Sequence, residues 1–260
     1  MNKNSSILLS FLTLYIKEIS RFLIFPAQTL SGPVILGVLL MYTLSLSLKN
    51  SVDISYIVEF QKFLIPGIII MQVVQAGFFN TTSSLIASKL YGSLNAVIAA
   101  PISIGVLILS YVLGAATRGL LIMVVLLILF KLWLSVPLST IHWVHFLYSI
   151  LVSGSIMALL GMLVGIICDR FDTISLYTNF IIMPLSMLSG TLYSTDKLPP
   201  MIQQINQYNP IFIMVDSARN AFLGTEVNYY FSLYIYLSIV LIILYAICYF
   251  LLKSGYKIKP

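Results

Sequence analysis

The stretch FLIPGIIIMQVVQAGFFNTTSSLIAS, from Phe63 to Ser88, lies between two lysines and contains no charged residue. Further uncharged intervals separate Arg21 from Lys49, Lys131 from Asp169, Asp172 from Asp196, and Glu226 from Lys253. A hydrocarbon core about 30 Å thick requires roughly 20 apolar residues in a helix, because every backbone amide must be hydrogen-bonded within its own segment. The pattern therefore predicts a polytopic membrane protein.

Composition excludes an ordinary soluble domain. Hydrophobic residues make up 60% of the 260 residues and charged residues 8%, compared with about 45–50% and 25% in a typical soluble domain. After the spanning segments and short loops are subtracted, no interval is long enough for a soluble catalytic or ligand-binding domain. We therefore expect one all-α transmembrane domain over residues 1–260, surrounded by membrane lipid.

Six spanning helices are predicted, and an even number places both termini on one side. The predicted spans are residues 30–48, 63–85, 104–130, 145–168, 174–193 and 229–252. The side with the termini carries Lys3, Lys17, Arg21, Lys89, Arg170, Lys253, Lys257 and Lys259, and the other side carries Lys49, Lys62, Lys131, Lys197 and Arg219. The positive-inside rule makes the first side cytoplasmic. Because these basic residues lie at loop edges, no nucleic-acid partner is expected.

Residues 3–25 are predicted to form an amphipathic helix lying in the membrane interface. Its apolar face consists of Leu8, Phe11, Leu12, Tyr15, Ile16, Ile19, Phe22 and Leu23, and its polar face of Ser6, Ser10, Thr13, Lys17, Ser20 and Arg21. The spacing has a period of 3.6, and Pro26 follows as a helix terminator. A spanning helix of low hydrophobicity is the alternative, against which the charges of Lys17, Glu18 and Arg21 argue.

Two further segments are not expected to span. Residues 88–101 are short and mildly amphipathic, as in a small helix lying across the cytoplasmic base of the protein. Residues 195–224 are too apolar for a solvated loop and too interrupted by proline to span. Irregular backbone at membrane depth must be satisfied by protein or by a watery cavity, so we predict an external re-entrant helical hairpin. A loop resting on the outer surface is the alternative.

No catalytic constellation is recognisable. The only histidines, His142 and His145, are expected at the external mouth of the fourth span, and every acidic residue lies outside a predicted span or at its end. A zinc-protease motif and a phosphate-binding loop with its lysine are both absent from the sequence. Cys168 and Cys248 have no second ligand at metal-binding spacing. We therefore expect no enzyme activity, no metal site and no cofactor bound by this chain.

Polar residues within the predicted spans are few. Gln72 and Gln75 either line a polar path or join helices by hydrogen bonds. Arg118 costs about 2.5–3.5 kcal/mol in a membrane unless it is paired. Counting about 1.5 Å per residue from Ile104 puts it in the outer half of the bilayer, where Asp216 or Glu59 is its predicted partner. Gly154, Ala158, Gly161 and Gly165 have the spacing of a close helix-packing seam, within the subunit or between two subunits.

In order and spacing, several motifs resemble the permease subunits of type-2 ATP-binding-cassette exporters. These motifs are FLIPGIIIMQ at Phe63, TSSLIASKLYGSLNAVIAAPIS at Thr82, RGLL at Arg118, LSGTLYSTDKLPP at Leu188, NP at Asn209 and ARNAFLG at Ala218. The resemblance covers nearly the whole chain. It departs from many relatives after Ser103, where Ile104 stands at a position that is often acidic.

The resemblance implies a half-transporter of a bacterial inner membrane, in which two permease copies form one path above two cytoplasmic ATPases that bind ATP and magnesium. It assigns ATPase coupling to Ser88, Lys89, Leu90, Tyr91, Gly92, Leu94, Lys17 and Arg21. It assigns the external hairpin to Gly190, Pro199, Pro200, Asn209, Pro210, Asp216 and Arg219. The expected cargo is a lipophilic small molecule or a lipid-linked glycan. A self-contained secondary transporter or channel, driven by an ion gradient, is the alternative.

Overall fold

The computed structural model describes residues 3–48, 54–100, 102–134, 141–195, 198–224 and 227–255. Over these residues the chain is all-helical, as predicted, and contains no strand. Its helices are α1 (Lys3–Ile24), α2 (Gly32–Leu48), α3 (Ile54–Leu90), α4 (Ser93–Ala99), α5 (Ile104–Trp133), α6 (Trp143–Ile167), α7 (Asp172–Tyr177), α8 (Met183–Leu188), α9 (Pro200–Gln207), α10 (Pro210–Leu223) and α11 (Val227–Ser254). Positions 101 and 196–197, and Lys49, Lys257 and Lys259 of the charge comparison, lie outside the described residues.

Within the described residues, five helical segments are long and apolar enough to cross a membrane. They are Ala27–Ser47, Tyr56–Leu90, Ile104–Trp133, Trp143–Ile167 and Ser232–Ser254. Each overlaps one of the predicted spans, which confirms a multi-pass membrane protein. The long helices α3 and α5 extend beyond the hydrocarbon core, because their lengths correspond to about 55 Å and 45 Å.

The predicted fifth span, residues 174–193, differs from the structure. Helical structure runs from α7 through a π-helical turn, Thr178–Ile182, into α8 and ends at Leu188. Pro184 lacks an amide hydrogen for the regular helical ladder, which accounts for the irregular turn before it. The run covers roughly 25 Å, which is shorter than a bilayer core. The six-span count is therefore not confirmed.

Helices α3 and α6 form the centre of the molecule. Gly161 on α6 lies against the backbone of α3, and the Thr82 hydroxyl donates to the Gly161 carbonyl at 3.0 Å. Gly154 faces Val73, and Gly165 faces Leu85. The small residues of α6 are therefore a packing seam within the subunit, one of the two arrangements predicted.

Helix α1 packs on α5 through a face that contains both polar and apolar residues. Leu14, Glu18 and Phe22 are buried. Four of the eight residues of the predicted apolar face are exposed, including Leu8 at 60% and Ile16 at 56%, whereas Phe22 of the same face is buried. An exposed apolar face is suited to lipid, while the mixed face packs on protein. The predicted helix is present, but its polar residues do not simply face water.

The two predicted non-spanning segments are helical over part of their length. Ser88 and Leu90 belong to the end of α3, which turns at Gly92 in a left-handed conformation (φ 69°) before α4. At the opposite end of α3, α9 and α10 form a helical pair. Helix α10 packs on α3 and α6 through an apolar face that includes Met214 and Ala218. The structure contains two helices within the predicted hairpin, and its re-entrant depth stays a prediction.

Candidate functional site

The turn after α3 projects from the protein. Tyr91 is 83% exposed and Leu90 57% exposed, and Gly92 is also exposed. On either side of them, Ser88 and Leu94 are buried. The Ser88 and Tyr111 hydroxyls are 3.5 Å apart, and Leu94 packs in a cluster with Leu107 and Leu14. We call Leu90, Tyr91 and Gly92 the exposed tip.

Lys89 does not project with the tip. Its ammonium donates to the Ile166 carbonyl at 2.5 Å and the Cys168 carbonyl at 3.4 Å, and it pairs with the Asp169 carboxylate at 3.0 Å. These carbonyls belong to the end of α6, where the last turn of a helix leaves acceptors free. Lys89 therefore attaches the exposed tip to α6, although the sequence assigns it to the same group as Leu90 and Tyr91.

Lys17 and Arg21, predicted with the tip as coupling residues, lie elsewhere, at the junction of α1, α3 and α5. Arg21 Nε is 3.4 Å from Glu18 Oε2, and Lys17 Nζ is 4.0 Å from Glu18 Oε1. Glu18 is fully buried and accepts a hydrogen bond of 2.7 Å from the Ser84 hydroxyl. Arg21 also donates to Asn80 at 2.7 and 3.0 Å and to Ser83 at 3.1 Å.

Arg118 belongs to the same junction. Its Nη2 donates to the Thr29 carbonyl at 2.6 Å, and its Nη1 to Asn80 Oδ1 at 3.4 Å. The predicted pairing with Asp216 or Glu59 is therefore wrong. Phe63, which contacts Arg219 of α10, and Asn80, which contacts Arg118, are about 25 Å apart along α3. Arg118 therefore lies beside α1, far from Asp216 on α10.

Gln72 and Gln75 do not join helices in this subunit. Among the described residues, neither side-chain amide nitrogen has a hydrogen-bond partner. Gln72 is buried, and Gln75 is partly exposed on α3. Of the two predicted roles, the structure does not contain the interhelical hydrogen bond.

At the other end of α3, Arg219 connects three segments. Its guanidinium donates to the carbonyls of Gly190 at 2.7 Å, Thr191 at 3.5 Å and Phe63 at 3.4 Å, and stacks 3.8 Å from the Phe63 ring centre. Burial lowers the pKa of Arg219 to about 10, and the nearby Asp216 opposes the shift. Arg219 is thus positively charged at neutral pH. We call Arg219, together with the carbonyls of Phe63, Gly190 and Thr191, the arginine latch.

Local backbone geometry supports this latch. Gly190 has a left-handed φ of 68°, and a side chain on Gly67 would collide with the Thr191 carbonyl. Asn209 caps α10 by accepting from the Ile211 amide at 3.0 Å and ties it to α8 by donating to the Leu185 carbonyl at 2.8 Å. Pro199 and Pro200 begin α9, and Pro210 begins α10. The predicted hairpin residues therefore fix the helical pair to α3 and α8.

Sequence reasoning missed Glu18 and Asn80 as members of a buried polar group. The run Asn80–Thr81–Thr82–Ser83–Ser84 inside an otherwise apolar span is the signal that indicates it, because five successive polar residues in a membrane helix need protein partners. Ser149 and Ser217, joined at 3.1 Å between α6 and α10, were also missed. The described residues contain no cluster of histidine, cysteine or acidic side chains able to hold a metal ion.

Comparison with known proteins identifies the family. The profile of the ABC-2 type transporter family matches residues 10–223. Inner membrane transport permease YadH of Escherichia coli K12 is 29% identical over 243 residues, which cover 94% of each chain.

Nodulation protein J of Neorhizobium galegae is a more distant relative. It is 26% identical over 174 residues, covering 65% of this chain and 64% of its own length. Nodulation protein J of Rhizobium leguminosarum bv. viciae is 33% identical over 89 residues. Together with the all-helical, multi-pass architecture, these matches show that the chain belongs to the ABC-2 type transporter family of membrane permeases.

Proposed function

We propose that this chain is the membrane subunit of an exporter whose energy comes from a separate ATPase. Two copies of the chain surround one translocation path, and two cytoplasmic ATPase subunits dock beneath them. ATP and magnesium bind to those subunits and not to this chain. Both termini lie on the cytoplasmic side of a bacterial inner membrane, which fits the name of the YadH relative and the predicted charge distribution.

The exposed tip is the observation that carries this proposal. A tyrosine that is 83% exposed beside a leucine that is 57% exposed forms a small apolar surface on a defined turn. Large aromatic side chains of this kind are common anchors in protein interfaces. Lys89 holds the tip to α6, and the continuous helix α3 connects it to the core. Movement of the tip by an ATPase would therefore act on both central helices.

The arginine latch supports a role for α9 and α10 in closing the external end. In the proposed cycle, closure of the ATPases on ATP shifts the paired permeases from an inward-facing to an outward-facing state, while the latch keeps α10 attached to α3 and α8. Gln75, which is partly exposed on α3, would face the path between the two copies, whereas Gln72 is buried within the subunit. The apolar character of the chain fits a lipophilic or lipid-linked cargo.

Co-purification and ATPase measurements test the proposal. The tagged chain, expressed in its native host, is expected to retain an ATP-binding-cassette ATPase, and the reconstituted pair to hydrolyse ATP faster than the ATPase alone. Replacing Leu90 and Tyr91 by alanine should abolish this stimulation while leaving membrane insertion intact. Lys89 is kept, because its replacement would also release the end of α6.

The matched control is Tyr208→Ala, which removes a tyrosine of nearly equal exposure, 82%, at the opposite end of the molecule. This variant should stimulate the ATPase as the natural chain does. Normal stimulation by the Leu90/Tyr91 variant would refute the assignment of the tip. Uphill transport by the purified chain alone, driven by an ion gradient, would favour the secondary-transporter alternative.

A further inference from the structure

We infer that the junction of α1, α3 and α5 binds an anionic phospholipid of the cytoplasmic leaflet, with its phosphate at Arg21 and Arg118 and an acyl chain in the adjoining groove. The inference rests on the proposed orientation, in which α1 lies at the cytoplasmic membrane surface. Its ligand and its test are independent of ATPase docking.

The charges at this junction do not balance. Lys17, Arg21 and Arg118 contribute three positive charges, and Glu18 is the acidic residue that faces them. The two arginines approach each other closely, because both donate to the same oxygen, Asn80 Oδ1, at 3.0 and 3.4 Å. Glu18 is paired with Lys17 and Arg21, which leaves Arg118 without a counter-ion among the described residues. An anion would supply the missing negative charge.

The hydrogen-bond inventory has the same imbalance. Among the described residues of this junction, four buried donor atoms lack a hydrogen-bond acceptor: Lys17 Nζ and Arg21 Nε, which face Glu18 only as ion pairs, and Asn80 Nδ2 and Arg118 Nε, which have neither. The acceptor left without a donor is Glu18 Oε2, which makes only the ion pair with Arg21. Asn80 is fully buried, and Arg118 is 5% exposed. Buried donors are normally satisfied, and the oxygens of a phosphate accept from several donors at once.

An apolar groove of about 350 Å³ lies next to Arg118 along α5, because its lining residues Leu121 and Ile122 follow Arg118 by one helical turn. It is lined by Pro26, Ala27, Leu30, Ser31 and Val34 on one side and by Leu121, Ile122 and Val125 on the other. Thr29 lies within the turn that forms one wall, and its carbonyl accepts the hydrogen bond from Arg118. A cationic group thus lies one helical turn from an apolar groove, and this combination matches an anionic amphiphile rather than a free anion.

Its position favours a phospholipid as that amphiphile. The outward face of α1 is apolar at Leu8, Leu12 and Ile16, so α1 lies where headgroups meet acyl chains. Anionic lipids at this depth are attracted by basic residues. The partly exposed side chains of Lys17 and Arg21, at 40% and 31%, lie at the entrance to the site.

The test measures lipid retention by the full-length chain. The purified protein is exchanged into detergent containing equimolar phosphatidylglycerol and phosphatidylcholine with identical acyl chains, and bound lipids are counted by native mass spectrometry. The natural chain should prefer phosphatidylglycerol, and Arg118→Gln or Arg21→Gln should each lower this preference about fivefold, the effect of one basic residue at a membrane surface. Arg118→Lys keeps the charge and should retain most of the preference.

Lys131→Gln is the matched control, because it removes an exposed cation from the opposite end of α5 and should leave the lipid ratio unchanged. Val125→Trp fills the groove without changing charge and should also reduce retention. Excess inorganic phosphate should not displace the lipid. Equal retention of the two lipids by the natural chain, or displacement by phosphate alone, would overturn the inference. None of these results depends on finding an ATPase.

Discussion

The two buried arginines of this membrane protein have very different surroundings. Arg219 belongs to α10, contacts the first half of α3 and is 8% exposed. Arg118 belongs to α5, contacts the second half of α3 and is 5% exposed. Arg219 donates to three backbone carbonyls and stacks on an aromatic ring. Arg118 donates to one carbonyl and shares an amide oxygen with a second arginine. Two equally buried guanidinium groups can therefore differ in how many of their donors have hydrogen-bond partners.

The difference separates a structural contact from a binding site. The carbonyls around Arg219 come from α3 and from the turn after α8, so its planar guanidinium holds separate segments in one arrangement. At the Arg118 junction, donors and positive charges exceed their partners. We therefore expect loss of Arg219 to damage the fold, and loss of Arg118 to change mainly what the protein binds.

Replacing Arg219 should have the largest effect. In Arg219→Gln the carbonyls of Gly190 and Phe63 lose their donor while remaining buried, which we expect to cost about 3 kcal/mol of unfolding free energy. The measurement is reversible unfolding in mixed micelles. Arg219→Lys keeps the charge but not the fork geometry and should recover only part of the loss. A change below about 1 kcal/mol would show that the latch is not needed for stability.

Gly67, beside Arg219, and Gly114, beside Glu18, allow the packing of the two arginine sites to be compared. A side chain on Gly67 would collide with the backbone of Thr191, whereas one on Gly114 would lie 2.7 Å from the Cβ atom of Glu18 on α1. Gly67→Ala should therefore cost about 2–3 kcal/mol, because backbone on both sides must move. Gly114→Ala should cost about 1 kcal/mol, because α1 packs mainly on α5 and can shift away.

Unfolding in micelles measures both changes, and limited proteolysis of α1 separates their causes. Gly114→Ala should expose α1 to cleavage, whereas Gly67→Ala should not do so selectively. Gly32→Ala is the control, since no atom lies within 4 Å of the added side chain. If the Gly114 variant were the less stable of the two, α1 would be unable to shift away from α5, and the junction of α1, α3 and α5 would be as rigid as the contacts around Arg219.

The sequence predicted the helices better than their contacts. Long uncharged intervals define α3, α5 and α6 because burial of backbone amides in lipid requires helix. The break before Pro184 was not predicted, since hydropathy does not depend on whether a proline interrupts the hydrogen-bond ladder. The attachment of the exposed tip to α6 by Lys89 was also not predicted, because it depends on carbonyl groups that only the folded chain brings to Lys89.

Helix α1 shows how an interface helix divides its faces between lipid and protein. The 3.6-residue spacing of apolar residues was correctly identified, and the helix extends from Lys3 to Ile24. In water, the apolar face of such a helix packs on protein. In a membrane, lipid is itself an apolar partner, so Leu8 and Ile16 remain exposed while Glu18 is buried against α3 and α5. The exposed apolar residues fit the predicted interface helix, whereas the burial of Glu18 was not predicted.

The smallest effect is expected for Arg118 in the absence of anionic lipid. Arg118 and Arg21 donate to the same oxygen at 3.4 and 3.0 Å, so at an effective dielectric constant near 20 their repulsion is roughly 3 kcal/mol. The two hydrogen bonds of Arg118 contribute a similar total, at about 1.5 kcal/mol each for a charged donor. Arg118→Gln should therefore change the unfolding free energy by less than about 1 kcal/mol in neutral detergent, in contrast to Arg219→Gln.

The Arg21 and Arg118 double variant tests whether repulsion between the two arginines offsets the hydrogen bonds of Arg118. Arg21→Gln alone should be more costly, because it leaves the buried carboxylate of Glu18 with only the more distant Lys17, 4.0 Å away. If the two cations repel, both single variants relieve the same repulsion. The double variant should then be less stable than the sum of the single changes indicates, by roughly the repulsion energy. Additive effects would show that the arginines do not interact and that the junction has no positive charge in excess.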